Sequence, residues 1–506
     1  MSANHYPAGL GSLFFAEMWE RFSYYGMRAI LILFLVDQVN NGGMGLEAGE
    51  AAAIYGLYTA GVYIMALPGG WVADKFWGAK KSIITGGTVI MLGHILLAIS
   101  SDVRSIFFTG LFCIAVGTGL LKPNISSMVG SLYDKNDIGG RDAGFSMFYM
   151  GINLGAILGG FVVGYLGESI NWHLGFGAAA VAMFLGLLNF MFASKRSLAG
   201  KGEIPPRLAT AALIAQPPTH KGLTLIISAA FLGLVGILAA IGKIDLSNAV
   251  GWAGAMGIII VGIAIAFFLN IFLAGGLTVD EKKRMLVLAV LFFGAALFWS
   301  GFEQAGSSLS IFASDMTQRQ FGETEVPASW FQNLNPLFII ILTPFIAKFW
   351  MMQQAKGRTI SVFTKFGLAL ILLGVGYWIL VPAAKIGVTG AKVSFMFLTI
   401  TYLVHTIAEL LLSPVGLSTF SRLAPERFTN QLMGFWFVAA SLGNLMAGLF
   451  VASMDTESAT GLPDAFNQMF MTSVAFGILL LLLAKPITKW ALGGKELLDD
   501  ANAQSH

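Results

Sequence analysis

Cysteine is almost absent: Cys113 stands alone in a chain of 506 residues. That excludes an internal disulfide and a thiolate zinc cluster, and within its apolar run Cys113 reads as a small buried residue. Charge is scarce as well. Only 11% of the residues are Asp, Glu, Lys or Arg, against about a quarter in soluble domains. A net charge of +3 supplies no strongly basic surface, so no nucleic-acid partner is expected. No Gly-rich phosphate loop, His-Glu-x-x-His pair or nucleophile elbow occurs, which argues against an enzyme and against a metal or organic cofactor. The period-2 alternation of a membrane barrel is missing too. The polar start, Met1 to Gly9, leads into an apolar run too long and too charged for a cleaved signal peptide. That run is read as a retained first transmembrane helix.

What the chain has in quantity is apolar sequence. Hydrophobic residues make up 56% of it, and the mean hydropathy is +0.76. A spanning helix needs about 20 mostly apolar residues, and about fourteen such runs can be drawn. They cover 12–38, 50–73, 80–100, 104–132, 142–166, 173–193, 222–241, 247–273, 285–312, 329–352, 358–381, 393–420, 430–453 and 466–489. Lysine and arginine gather in alternate loops, leaving only Arg104, Lys243, Arg319, Lys385 and Lys392 on the other side. By the positive-inside rule this predicts a multi-pass protein of the cytoplasmic (inner) membrane with both termini cytoplasmic, in contact with membrane lipid.

The longest connection carries Pro205, Pro206, Pro217 and Pro218 and reads as a cytoplasmic linker. The next two runs hold almost no polar residue and read as an inserted lipid-facing hairpin. A faint repeat relates Leu121-Lys122-Pro123-Asn124 to Leu412-Ser413-Pro414-Val415, and Asn153-Leu154-Gly155 to Ser441-Leu442-Gly443. The expected architecture is all-α: two six-helix lobes, 1–194 and 285–492, joined through a linker at 195–221 and a hairpin with its connection at 222–284. A cytoplasmic tail at 493–506 completes it. Parallel repeats of this kind hold their site near mid-membrane.

An ionisable group at mid-bilayer costs about 2.5–3.5 kcal/mol on the lowest scales and usually has a function. In the first run Glu17, Glu20, Arg21, Tyr24, Tyr25 and Arg28 fall within roughly 140° of a helix. Such a stripe needs a watery cavity or buried partners. Lys122, Glu303 and Glu409 are the other embedded charges. They can be static ion pairs, or carboxylates whose proton affinity changes when a neighbouring base moves away. His405 stands at i−4 from Glu409 and fits a packing histidine or a proton relay. With no third ligand evident, the pair is not a metal site.

Glu17-x-x-Glu20-Arg21-Phe22-Ser23-Tyr24-Tyr25-Gly26 resembles the first-helix signature of the proton-dependent oligopeptide transporters, a family of the major facilitator superfamily. Phe148-Tyr149-Met150-Gly151-Ile152-Asn153-Leu154-Gly155 is similar to that family's second signature. Gly70-x-x-x-Asp74-Lys75-x-x-Gly78-x-Lys80-Lys81 looks like the superfamily's loop motif. The resemblance covers essentially the whole chain, and the inserted pair matches the bacterial members.

The resemblance implies a major facilitator fold with about 14 transmembrane helices, in a symporter that imports di- and tripeptides with protons by alternating access. It implies that Glu17, Glu20, Arg21 and Lys122 couple the proton. Arg28 is then the base for the peptide carboxylate and Glu409 the acid for its ammonium group. Arg28 with Glu303, and Lys122 with Glu409, form the gating salt bridges. Asn153 and Asn335 are implied to hold the peptide backbone. Tyr25, Tyr63, Tyr149, Trp299 and Trp436 are implied to line the pocket, with Tyr24 and Ser413 beside them. Where some members carry paired glutamates this chain has Glu303-Gln304, so a role for two carboxylates there does not carry over. A small anion such as nitrate is the rival substrate, against which the acids Glu303 and Glu409 argue.

Overall fold

The computed structural model describes residues 7–100, 103–133, 138–203, 221–274, 276–356, 360–425, 428–453 and 461–492. In chain order the helices are α1 Ala8–Val36, α2 Ala48–Ile64, α3 Ala66–Val72, α4 Ala79–Ile99, α5 Arg104–Gly130, α6 Ile138–Gly164, α7 Trp172–Ser197 and α8 Lys221–Ala240. They continue with α9 Ala249–Ala274, α10 Val279–Phe302, α11 Ser308–Asp315, α12 Leu334–Ala355, α13 Val362–Gly387, α14 Met396–Leu423, α15 Thr429–Ala452 and α16 Leu462–Leu492. Of the expected linker, residues 204–220 lie outside the described residues, as does the whole tail at 493–506.

Among the described residues, twelve helical segments are long and apolar enough to cross a membrane. α1 is long enough but carries Glu17, Glu20, Arg21 and Arg28 within its 29 residues. The described apolar part of α8, Ala229–Ala240, is shorter. Two expected runs are broken. The run at 50–73 becomes α2, a turn at Met65, α3 and a π-helical stretch Ala73–Trp77. The run at 285–312 stops at Phe302, passes through a 3₁₀ turn Glu303–Gly306 and resumes as α11. Strand structure among the described residues is limited to a hairpin, β1 Gln320–Phe321 with β2 Thr324–Glu325, and a bridge between Thr317 and Val393. Gly322 at φ +63° turns that hairpin.

The chain divides into two compact units. The first comprises Met1–Leu46, Gly61–Ile214 and Arg319–Ile340. In it α1 packs against α6 and α7, and α4 packs along α5 and α7. Small residues allow the close approaches, as is common between membrane helices. A Cβ on Gly155 would lie 3.0 Å from Arg21 Cβ, and one on Gly186 would lie 2.8 Å from Trp19 Cβ. Pro123 in α5 has no N–H, so the carbonyl of Gly119 loses its helical donor. That carbonyl meets Gly69 of α3, where no side chain would fit.

The second unit comprises Glu47–Ala60, Ala215–Gln318 and Ile341–His506. Here α13 packs along α16 and α14, and α10 packs along α15. α8 and α9 pair with each other, and α9 rests on α15. Phe267 stacks on Phe435 there, with ring centroids 3.9 Å apart. Two helices contribute to both units: α2 divides after Ala60 and α12 divides after Ile340.

Candidate functional site

The spacing of Glu17, Glu20 and Arg21 at i, i+3 and i+4 puts all three side chains on one face of α1. Arg21 Nε lies 3.2 Å from Glu17 Oε1 and also donates to Glu20 Oε2. All three residues are at most 1% exposed. One guanidinium therefore serves two buried carboxylates. Glu17 Oε2, Glu20 Oε1 and Arg21 Nη2 find no hydrogen-bond partner among the described residues. The arrangement is held but not saturated.

The rest of the stripe is aromatic and cationic. The Arg21 guanidinium carbon stands 5.1 Å from the Tyr24 ring centroid and 5.9 Å from that of Tyr25. The Arg28 guanidinium carbon also stands near the Tyr25 ring, 5.8 Å from its centroid. Lys122, on α5, sits with Nζ 4.6 Å from the Tyr63 ring centroid and attracts Glu17 electrostatically. Rings over cations are attractive where water is scarce.

The expectation for α1 was one polar stripe on an otherwise apolar helix. In the structure most of α1 is buried all round. The second sequence signature explains part of this: Gly151 and Gly155 bring α6 onto Phe14, Met18, Arg21 and Phe22. The glycines of one signature thus press the charges of the other out of contact with lipid.

The remaining expected residues fall as follows. Tyr25, Arg28, Tyr63, Tyr149, Asn153 and Asn335 belong to the first unit, with the charged cluster. Tyr149 is 45% exposed, whereas Asn153 is buried and donates to the Tyr149 carbonyl at 3.0 Å. Asn335 is half-buried at the start of α12. Trp299, Glu303, Glu409, Ser413 and Trp436 belong to the second unit. Glu303 is buried at the break after α10. Glu409 and Ser413 are half-buried on α14. Trp436 is buried between Phe366 and Phe420, with centroids 6.4 and 5.5 Å away. Each expected gating pair, Arg28 with Glu303 and Lys122 with Glu409, takes one residue from each unit. His405 is buried, and its Nε2 lies 3.0 Å from the Leu373 carbonyl. No cluster of three or more metal-ligating side chains occurs among the described residues.

Sequence reasoning noted Gln304 only as a departure from paired glutamates and missed its structural role. Its Nε2 donates to the Ala447 carbonyl at 3.0 Å, and its Oε1 accepts from Ser307 and Ser308 at 2.9 and 2.7 Å. This buried amide fixes the helix break that carries Glu303. The signal was legible: an amide in an apolar run, with hydroxyls at i+3 and i+4.

Residues 80–469 match the family model described as the POT family. The chain belongs to that family. Its fold is accordingly the all-α major facilitator fold of a polytopic membrane protein, as the resemblance implied. It is 38% identical over 492 residues to the peptide transporter YePEPT of Yersinia enterocolitica, covering 96% of this chain and 95% of that one. It is 36% identical to a di-/tripeptide transporter of Lactococcus lactis subsp. cremoris, covering 96% of each. Among solved structures it is similar to a variant of a peptide transporter POT in complex with alafosfalin. The TM-score is 0.82 at 37% identity, and 95% of each chain is covered.

Proposed function

We propose that this POT-family protein is a proton-coupled symporter that imports di- and tripeptides across the cytoplasmic membrane by alternating access, with both termini cytoplasmic. The observation that carries the reading is the buried Glu17–Arg21–Glu20 constellation with Lys122 beside it. Two acids and two bases balance there, and Arg28 adds a third positive charge about two turns further on. In a medium of low dielectric such a balance is sensitive to one proton. Protonating a carboxylate leaves a net positive site that favours the carboxylate end of a peptide. A proton bound first therefore raises peptide affinity, and a peptide bound first raises proton affinity, as linkage requires.

The zwitterion also needs an anion, which Glu409 supplies from the second unit. Asn153 and Asn335 offer amides for the peptide backbone, and Tyr25, Tyr63, Tyr149, Trp299 and Trp436 offer apolar walls, with Ser413 as a further polar contact. Arg28 with Glu303 and Lys122 with Glu409 are the pairs proposed to form and part in the cycle. Relatives named as di- and tripeptide transporters along nearly their full length support the substrate class.

The experiment is uptake of labelled dialanine into liposomes containing the purified protein, with and without an inward proton gradient. Accumulation that needs the gradient and collapses with a protonophore is expected. Gradient-independent uptake, or peptide uptake abolished by excess nitrate, would overturn the reading.

A further inference from the structure

One acid in a helix of the first unit stands outside the charged cluster and outside every sequence signature. Gly160, Gly164 and Glu168 follow one another at i, i+4 and i+8, on α6 and the π-helical stretch Tyr165–Ile170 that continues it. The segment Ala328–Asn333, a 3₁₀ turn ahead of α12, lies against this face. Glu168 Oε2 accepts from the Ala328 N–H at 2.7 Å, and Oε1 accepts from the Ser329 N–H at 2.9 Å. The first N–H groups of such a turn have no partner within it. Ala328 and Ser329 are 1% and 0% exposed, so their N–H groups need an acceptor from the protein. A carboxylate is the strongest that a side chain can offer.

Neighbouring contacts fix the same segment. The Trp330 indole N–H donates to the Phe161 carbonyl at 3.2 Å, and the two rings meet edge-on at 4.9 Å. Gln332 Nε2 donates to the Ala29 carbonyl of α1 at 3.3 Å. A Cβ on Gly160 would strike Asn333 Oδ1, and one on Gly164 would strike Ser329 Oγ. Arg319, paired with Glu325 at 2.7 Å, adds electrostatic attraction for Glu168. The segment leads directly into α12, where Asn335 follows two residues on and the chain beyond Ile340 joins the other unit.

We propose that Glu168 is a positioning residue of the transport cycle, a clip that holds Ala328–Asn333, and with it Asn335, on α6 in this conformation. The proposal rests on the alternating-access reading. It adds that release of Ala328–Asn333 from α6 is a step of the cycle, with Glu168 setting its equilibrium. Glutamine replaces the acid poorly, because its one carbonyl oxygen carries no charge and would have to accept from both N–H groups that the two carboxylate oxygens now share.

The test uses the full chain in proteoliposomes, with Cys113→Ser removing the native thiol and Ser329→Cys reporting on the clip. Labelling of this cysteine by a membrane-impermeant maleimide is timed in the parent, in Glu168→Gln and in Gly164→Ala, which crowds the segment without touching the carboxylate. Loss of charge-assisted hydrogen bonds is expected to raise the labelling rate at least about tenfold in Glu168→Gln, and Gly164→Ala should shift it the same way. Saturating dialanine should change the rate in the parent and leave it unchanged in Glu168→Gln, while Glu168→Asp restores part of the response. Equal labelling rates and equal dialanine responses in folded parent and variants would overturn the clip. If labelling accelerates as expected but the parent exchanges no dialanine, the clip stands and the peptide reading fails.

Discussion

Arg21 Nε lies 3.2 Å from Glu17 Oε1, one turn back along the same helix, and the same nitrogen also serves Glu20. Sharing one base between two buried acids makes the pair unequal to any single substitution. Glu20→Gln keeps the shape and removes one charge. Gradient-driven dialanine accumulation is expected to fall to background, while counterflow exchange at equal pH persists within about tenfold of the parent. Loss of both activities in a folded, monodisperse variant would count against a coupling role for Glu20.

Removing the base is a different matter. Arg21→Met leaves two carboxylates buried without their cation, and breaking a buried pair from one side costs about 3–5 kcal/mol. A lower melting temperature in detergent is expected, together with loss of driven uptake. Arg21→Lys should recover part of the stability, because an ammonium keeps the positive charge but not the guanidinium geometry that sets one nitrogen between the two acids. Equal melting temperatures for Arg21→Met and the parent would mean that the acids carry no charge in the folded state.

The fold was legible because its signals are long-range averages: apolar runs, loop lysines and two family signatures. The charged cluster was legible because ionisable residues inside an apolar run have few alternatives to function. The burial of α1 on nearly all sides was not, since it depends on how Gly155 and Gly186 bring neighbouring helices in. The Glu168 contacts were hidden for a similar reason. An acid at the end of an apolar run reads as an interfacial charge, and its two N–H partners lie 160 and 161 residues away. The break after Phe302 sits inside a long apolar run, where hydropathy carries no mark of a change in helix geometry and only Gln304 with its hydroxyls at i+3 and i+4 signals it.

Gly78, in the loop motif, adopts φ +74°, and a Cβ there would lie 2.8 Å from the Gly202 carbonyl oxygen. With ψ at 161° this is a conformation open essentially to glycine alone, and it costs another residue about 1–3 kcal/mol. Gly78→Ala is therefore expected to lower the melting temperature. Close by, Lys80 Nζ donates to Glu203 Oε1 at 3.0 Å. That hydrogen bond, with one from the Gly200 N–H, holds the Glu203 carboxyl below its ordinary value of 4.5. A depressed acid stabilises above its unfolded-state pKa, and the contribution fades as pH falls through the folded value. Glu203→Gln should thus match the parent's melting temperature in acid, with any small deficit appearing only toward neutral pH.

His405 bonds the Leu373 carbonyl and lies against Tyr377, ring centroids 5.0 Å apart. This geometry suits a packing histidine. His405→Gln, which can still donate to that carbonyl, should keep the pH profile of dialanine uptake while lowering the maximal rate by less than about tenfold. A displaced midpoint of that profile would instead make His405 a proton carrier.

Gln304 tests the helix break directly. Its amide N–H donates to the Ala447 carbonyl, and its oxygen accepts from Ser307 and Ser308. Gln304→Glu keeps the acceptor and loses the donor when ionised, setting a carboxylate against a carbonyl beside Glu303. A buried hydrogen bond lost in this way costs about 1–3 kcal/mol. The melting temperature of Gln304→Glu should therefore fall clearly below the parent's. An unchanged melting temperature would mean that the break after Phe302 is held by packing rather than by this amide.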